Sequence, residues 1–179
     1  MSGKILVLTA IDDELDKARA PAGVGGVGKV NAASGATLAL LVLRPSLVIN
    51  YGTAGRINEA LSGLVEVAHV VQRDMMAMPL VPRGRTPYSS NLDRLSSGFD
   101  GVTCGTGDSF VTSGDPWLTE NNVDLVDMEL FAIAHVCQRH TIPWRAFKFI
   151  TGGADQWAAD VGNGQELFWD TVKNLKNDT

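Results

Sequence analysis

Two short aliphatic runs, residues 4–10 (KILVLTA) and 47–51 (LVINY), constrain this chain most. Neither alternates cleanly between apolar and polar residues. Each therefore reads as a strand buried on both faces, which requires a sheet with helices on either side. Between them, Lys29–Leu43 (KVNAASGATLALLVL) reads as a long apolar helix that stops near Arg44-Pro45, because proline disfavours helical geometry in the residue before it. Residues 52–55 (GTAG) read as a tight turn after the second run, Leu64–Gln72 and residues 145–151 add strands, and residues 102–104 and 109–112 add short ones around a glycine-rich turn. Residues 124–128 form a strand end that passes into a helix over 129–140, and a terminal helix is expected over about 155–175, with Phe168, Val172 and Leu175 on one stripe. Residues 21–28 and 73–91 read as irregular loops, the second because it holds Pro79, Pro82 and Pro87. The expected fold is α/β: a three-layer α/β/α sandwich on a mostly parallel, mixed central sheet.

Composition narrows the function. With 179 residues, 45% of them hydrophobic, the chain suits one domain over 1–179. A net charge of −5 spread along the chain argues against a nucleic-acid surface, which needs clustered Lys and Arg. No stretch approaches the roughly 20 apolar residues of a membrane span. The opening MSGKILVLTAIDDE lacks a secretory pattern, so a cytoplasmic protein is expected. Cys104 and Cys137 make no disulfide framework, and His69, His135 and His140 are scattered, so neither a metal nor another cofactor is expected.

Residues 23–29 (GVGGVGK) match two phosphate-binding patterns in spacing. They do not directly follow a strand, no acid stands about 20 residues on, and Val30 replaces the hydroxyl that would hold magnesium. The stretch reads as a connector whose amides are free to cover a ligand. In open α/β sheets ligands gather at the carboxyl ends of strands. Those ends carry the unusual residues of this chain, at 12–14, 52–56, 107–110, 127–129 and 151–155. Carboxylates there suit water activation and the bidentate binding of a ribose diol.

Six strings, GVGKVNAA (26–33), VINYGTAG (48–55), VVQRDM (70–75), GDSFV (107–111), DMELFAIAHVC (127–137) and FITGGADQ (149–156), occur in an order that resembles the purine nucleoside phosphorylase/uridine phosphorylase superfamily. Within it the chain is most similar to the 5′-methylthioadenosine/S-adenosylhomocysteine nucleosidases. The resemblance implies a nucleoside phosphorylase-like fold, a purine nucleoside as ligand, no cofactor, a homodimer, and hydrolysis of an adenine nucleoside through an oxocarbenium-like transition state. It implies that Glu14 orients the attacking water, that Thr53, Met128 and Glu129 hold the ribose, and that Phe110, Val111 and Thr151 hold the base. Met76 and Met78 are candidates for an apolar pocket at the 5′ substituent.

The chain departs from the family pattern twice. Gly152 stands where the family's late strand carries the acid that protonates the purine, leaving Asp155 as the candidate replacement. The segment between Glu14 and Gly26 is short, so the sheet is expected to be trimmed near the N-terminus. Two other readings accompany the hydrolase: a catalytically silent nucleoside binder that lost its acid, and a phosphate-dependent phosphorylase with Arg56 as the nearest cation.

Overall fold

The computed structural model describes residues 4–19, 22–111, 114–151 and 160–177. Its elements are β1 (Ile5–Thr9), β2 (Ala22–Val24), α1 (Lys29–Leu43), β3 (Leu47–Arg56), β4 (Leu64–Gln72), β5 (Arg94–Ser96), β6 (Val102–Thr106), α2 (Pro116–Glu120), β7 (Leu125–Asp127), α3 (Leu130–Arg139), β8 (Trp144–Thr151) and α4 (Gln165–Asn177). All eight strands join one sheet in the order β2-β1-β3-β7-β6-β4-β5, with β8 pairing both β3 and β4. Five strand pairs are parallel and three antiparallel, the mixed sheet that the buried runs imply.

Because β8 bridges β3 and β4, while β7 and β6 connect the same two strands on the other side, five strands close into a ring. Strands β1 and β2 extend the sheet beyond β3, and β5 extends it beyond β4. The alternation of side chains along each strand sorts the core into two layers. Leu6, Leu8, Val48, Trp144 and Ala146 face α1 and α3. Val7, Ile49, Tyr51 and Phe147 face α4, which presents Phe168, Trp169 and Val172. The result is the three-layer sandwich expected. Gly35 permits the close seating of α1, since a Cβ there would lie 2.8 Å from the Cα of Gly25.

Several local expectations are corrected. The GTAG segment is no turn: β3 runs straight through it, paired residue for residue with β8 as far as Gly55 opposite Thr151. Residues 22–24 form a strand rather than loop, because the edge of β1 offers parallel hydrogen-bonding partners. The strand expected at 109–112 is absent over 109–111, where Arg73 takes up the backbone carbonyl of Ser109, and residue 112 lies outside the described residues. Strand β5 and helix α2 carry patterns too short to show in periodicity. The terminal helix begins only at Gln165, not near 155, because residues 161–164 form a turn (152–159 lie outside the described residues), while Phe168, Val172 and Leu175 are inward as expected.

Candidate active site

The site is built where β1, β3 and β7 end. Glu14 sits in a short 3-10 turn after β1 and is only 3% exposed. Its Oε2 accepts the backbone N–H groups of Ala10 (3.0 Å) and Ile11 (3.4 Å). Its Oε1 accepts the N–H of Thr53 (3.1 Å) and the Thr53 hydroxyl (3.5 Å). The acid is thus clamped between β1 and β3. Gly52 makes room for it, because a Cβ there would lie 3.1 Å from Glu14 Oε1 and 3.4 Å from Lys148 Nζ.

Below Glu14 lies a buried ion pair. Lys148 Nζ stands 2.8 Å from Asp127 Oδ2, and both side chains are 1% exposed. Asp127 also accepts the Thr106 hydroxyl (2.5 Å), the Cys104 thiol (3.3 Å) and the Leu130 N–H (2.8 Å). Burial pushes the Asp127 carboxyl up, but the charge of Lys148 and these hydrogen bonds outweigh it and hold the group below its ordinary range. Burial likewise opposes the ammonium of Lys148, and Asp127 and Glu129 more than compensate, raising it.

Glu129, at the head of α3, is the contrasting acid. It accepts the Gly28 N–H at 3.0 Å, while burial and then the neighbouring charge of Asp127 raise it to about 7. Two carboxylates two residues apart therefore titrate far from one another, the usual signature of a site with divided roles.

Glu14, Thr53, Met128 and Glu129 line one cavity of about 230 Å³, and Phe110, Val111 and Thr151 line it too. The structure so brings together all seven site candidates that fall within the described residues. Phe110 is 61% exposed, while Val111 packs against the buried cluster of Val71, Leu118 and Val123. Thr151 donates its hydroxyl to the Ala54 carbonyl (3.3 Å), tying β8 to β3. Gly152 and Asp155 lie outside the described residues. Met76 and Met78 do not line the cavity and are about two-thirds exposed.

The glycine loop does reach the site, and its amides serve carboxylates. Gly28 N–H points to Glu129, and Lys29 N–H to Asp108 (2.8 Å). Lys29 Nζ pairs with Asp74, whose Oδ2 takes the Asp108 N–H (2.8 Å).

Two residues escaped sequence reasoning. Lys148 lies between Phe147 and Phe149 in a buried strand, where a lysine demands an acid partner, and that demand was the available signal. Arg73 follows an apolar run, is 5% exposed, and donates to the carbonyls of Gly107 (3.1 Å) and Ser109 and to the Ser109 hydroxyl (3.3 Å). It pins the loop that presents Phe110 and Val111.

The model of the Phosphorylase superfamily matches residues 14–177. A 5′-methylthioadenosine/S-adenosylhomocysteine nucleosidase of Baumannia cicadellinicola is 32% identical over 156 residues, covering 73% of this chain and 66% of the relative. One from Staphylococcus haemolyticus is 31% identical over 162 residues, covering 78% and 68%. The chain thus matches about two thirds of the length of these curated relatives. Among solved structures, a Helicobacter pylori MTAN mutant with 5′-methylthioadenosine in its active site superposes with a TM-score of 0.88 at 17% identity, covering 100% of both chains. Futalosine hydrolase of the same species gives 0.87 at 17% identity, covering 98% of each. At that identity the likeness is one of fold.

Proposed function

This chain belongs to the Phosphorylase superfamily, and from that membership we propose that it is a nucleosidase. It hydrolyses the N-glycosidic bond of an adenine nucleoside of the 5′-methylthioadenosine or S-adenosylhomocysteine type. The observation that carries this reading is the clamped carboxylate of Glu14, facing the same small cavity as Glu129. A carboxylate fixed by three backbone N–H groups is positioned to accept the proton of one water as that water closes on C1′. Glu129 accepts the ribose diol, with Met128 and Thr53 against the sugar. Phe110 offers the base an aromatic face, the Val111 backbone meets its edge, and Thr151 closes that wall.

Water is favoured over phosphate as the nucleophile. The lining also holds Arg56 and Arg73, but Arg73 is taken up by the 107–109 loop and Arg56 stands three residues along β3 from Thr53, so a phosphate dianion beside Glu14 and Glu129 would meet carboxylates before a cation. Lys148, the nearby ammonium, is already committed to Asp127.

A homodimer is part of the same reading. Helix α1 turns Val30, Leu38, Leu41 and Val42 to solvent at 59–80% exposure, more apolar surface than a lone helix face normally shows. Beside it, a second cavity of about 380 Å³ is lined by Val30, Met75, Leu92 and Phe131.

The deciding experiment is adenine release from 5′-methylthioadenosine by the purified protein in phosphate-free buffer. Release without phosphate supports the nucleosidase. Release only after phosphate is added identifies a phosphorylase, and tight binding with no release identifies a silent binder.

A further inference from the structure

Charge is sorted along the cavity. Glu14, Asp127 and Glu129 act on one another electrostatically, while of the two cations of the lining Arg73 holds Ser109, next to Phe110, and Arg56 ends β3. The anchor of Glu14 is Thr53, and Arg56 lies three residues further along the same strand, about 10 Å at roughly 3.3 Å per residue. That is the reach from the anomeric carbon of a nucleoside across its base. Arg56 is flanked by Ile57, which packs, like Val111 and Val126, against the buried cluster of Val71, Leu118 and Val123. Its Nη2 meets Glu59 Oε2 at 3.0 Å, and its side chain is one-third exposed. The Glu59 pair engages Nη2, and a guanidinium carries five N–H donors in all. Arg73 is committed to the 107–109 loop, with only its Nε unpartnered among the described residues.

We propose that Arg56 stabilises the departing base as a fixed cation, doing electrostatically what a proton donor at position 152 does in the family pattern. This rests on the nucleosidase reading. Dissociative cleavage places positive charge on the ribose and negative charge on the base, and the cavity presents acids to the first and guanidinium to the second. The C1′–N9 bond breaks with its electron pair passing to the base. Water oxygen bonds to C1′ and yields its proton to Glu14. The base, a ring nitrogen on its edge away from the sugar accepting an N–H from Arg56, takes its own proton from solvent. A guanidinium gives up no proton, so it lends the leaving group charge stabilisation without titrating.

The test compares two substrates that share a sugar: 5′-methylthioadenosine, and the 5-methylthio-β-ribofuranoside of 4-nitrophenol, whose leaving group needs no help. Arg56→Met should lower kcat/KM for adenine release by about 10²–10³-fold, the usual cost of one preorganised donor. It should leave nitrophenol release within about threefold, which also shows that the variant folds. Arg56→Lys should restore part of the loss, and wild-type adenine release should stay level from about pH 8 to 9.5, where a carboxylic acid donor would fail. Equal losses on both substrates, no loss on either, or an alkaline fall in the wild type overturns the assignment of Arg56. Cleavage of the nitrophenyl riboside alone by the wild type also overturns it. If the wild type cleaves neither substrate, the nucleosidase reading itself falls.

Discussion

Glu129 accepts the backbone N–H of Gly28 at 3.0 Å, a bond between residues 101 positions apart that joins the glycine loop to the head of α3. The loop therefore rests on the acid assigned to the ribose. A diol entering the cavity competes with an amide for the same carboxylate, so ligand binding and loop position are linked.

Glu129 has its carboxyl raised to about 7 by burial and by Asp127, and the protonated form is a poorer acceptor for a diol. KM for the nucleoside should fall about tenfold as pH rises from about 6 to 8, and Glu129→Gln should flatten that dependence. The stability consequence has the opposite sign. A carboxyl raised in the folded state contributes stability that is present below its unfolded value and is lost as pH climbs through about 7. Glu129→Gln should therefore melt at the same temperature as wild type near pH 4 and a few degrees higher at pH 8, as followed by circular dichroism.

Lys148→Met removes the only ion-pair partner shown for Asp127 among the described residues and strands a buried carboxylate. Breaking such a pair commonly costs about 3–5 kcal/mol. Urea denaturation should show a loss of that order, and adding Asp127→Asn should recover part of it, because the unpaired charge goes with its partner.

Gly52→Ala tests how finely Glu14 is placed. The added Cβ meets Glu14 Oε1 at 3.1 Å, and the carboxylate is the more movable of the two. Displacing a catalytic group by around 1 Å can cost about 10²-fold in rate. Steady-state kinetics should show kcat reduced by about one to two orders of magnitude, with KM nearly unchanged.

Arg73→Met frees the carbonyls of Gly107 and Ser109 and with them the loop bearing Phe110. Two or three hydrogen bonds at about 1 kcal/mol each are at stake. KM should rise about 10–30-fold for the nucleoside while kcat changes less, since the proposed role of the loop is to hold the base, away from the reacting carbon.

Much of this architecture was legible in the chain because it depends on local apolar pattern. Helix α1 spans the same residues, 29–43, in sequence and structure, and β4 likewise spans 64–72. The site candidates were legible through motif order, which carried Glu14, Thr53, Phe110 and Glu129 to one cavity. What stayed hidden depends on partners distant in sequence. The GTAG segment looks like a turn until β8 is laid beside it, and β5 becomes a strand only because β4 offers its edge. Lys148 and Arg73 belong to the site through groups 21 and 34–36 positions away, a relation no window on the sequence displays.

The closed ring of five strands also governs how copies of this chain can meet. Among the described residues closure leaves the sheet two terminal strands, β2 and β5, and each is three residues long. Margins that short offer a neighbouring backbone too few hydrogen bonds to template strand addition. Among the described residues the sheet thus offers little edge for fibre-like stacking, and the proposed homodimer would have to form through side-chain surfaces such as the apolar flank of α1.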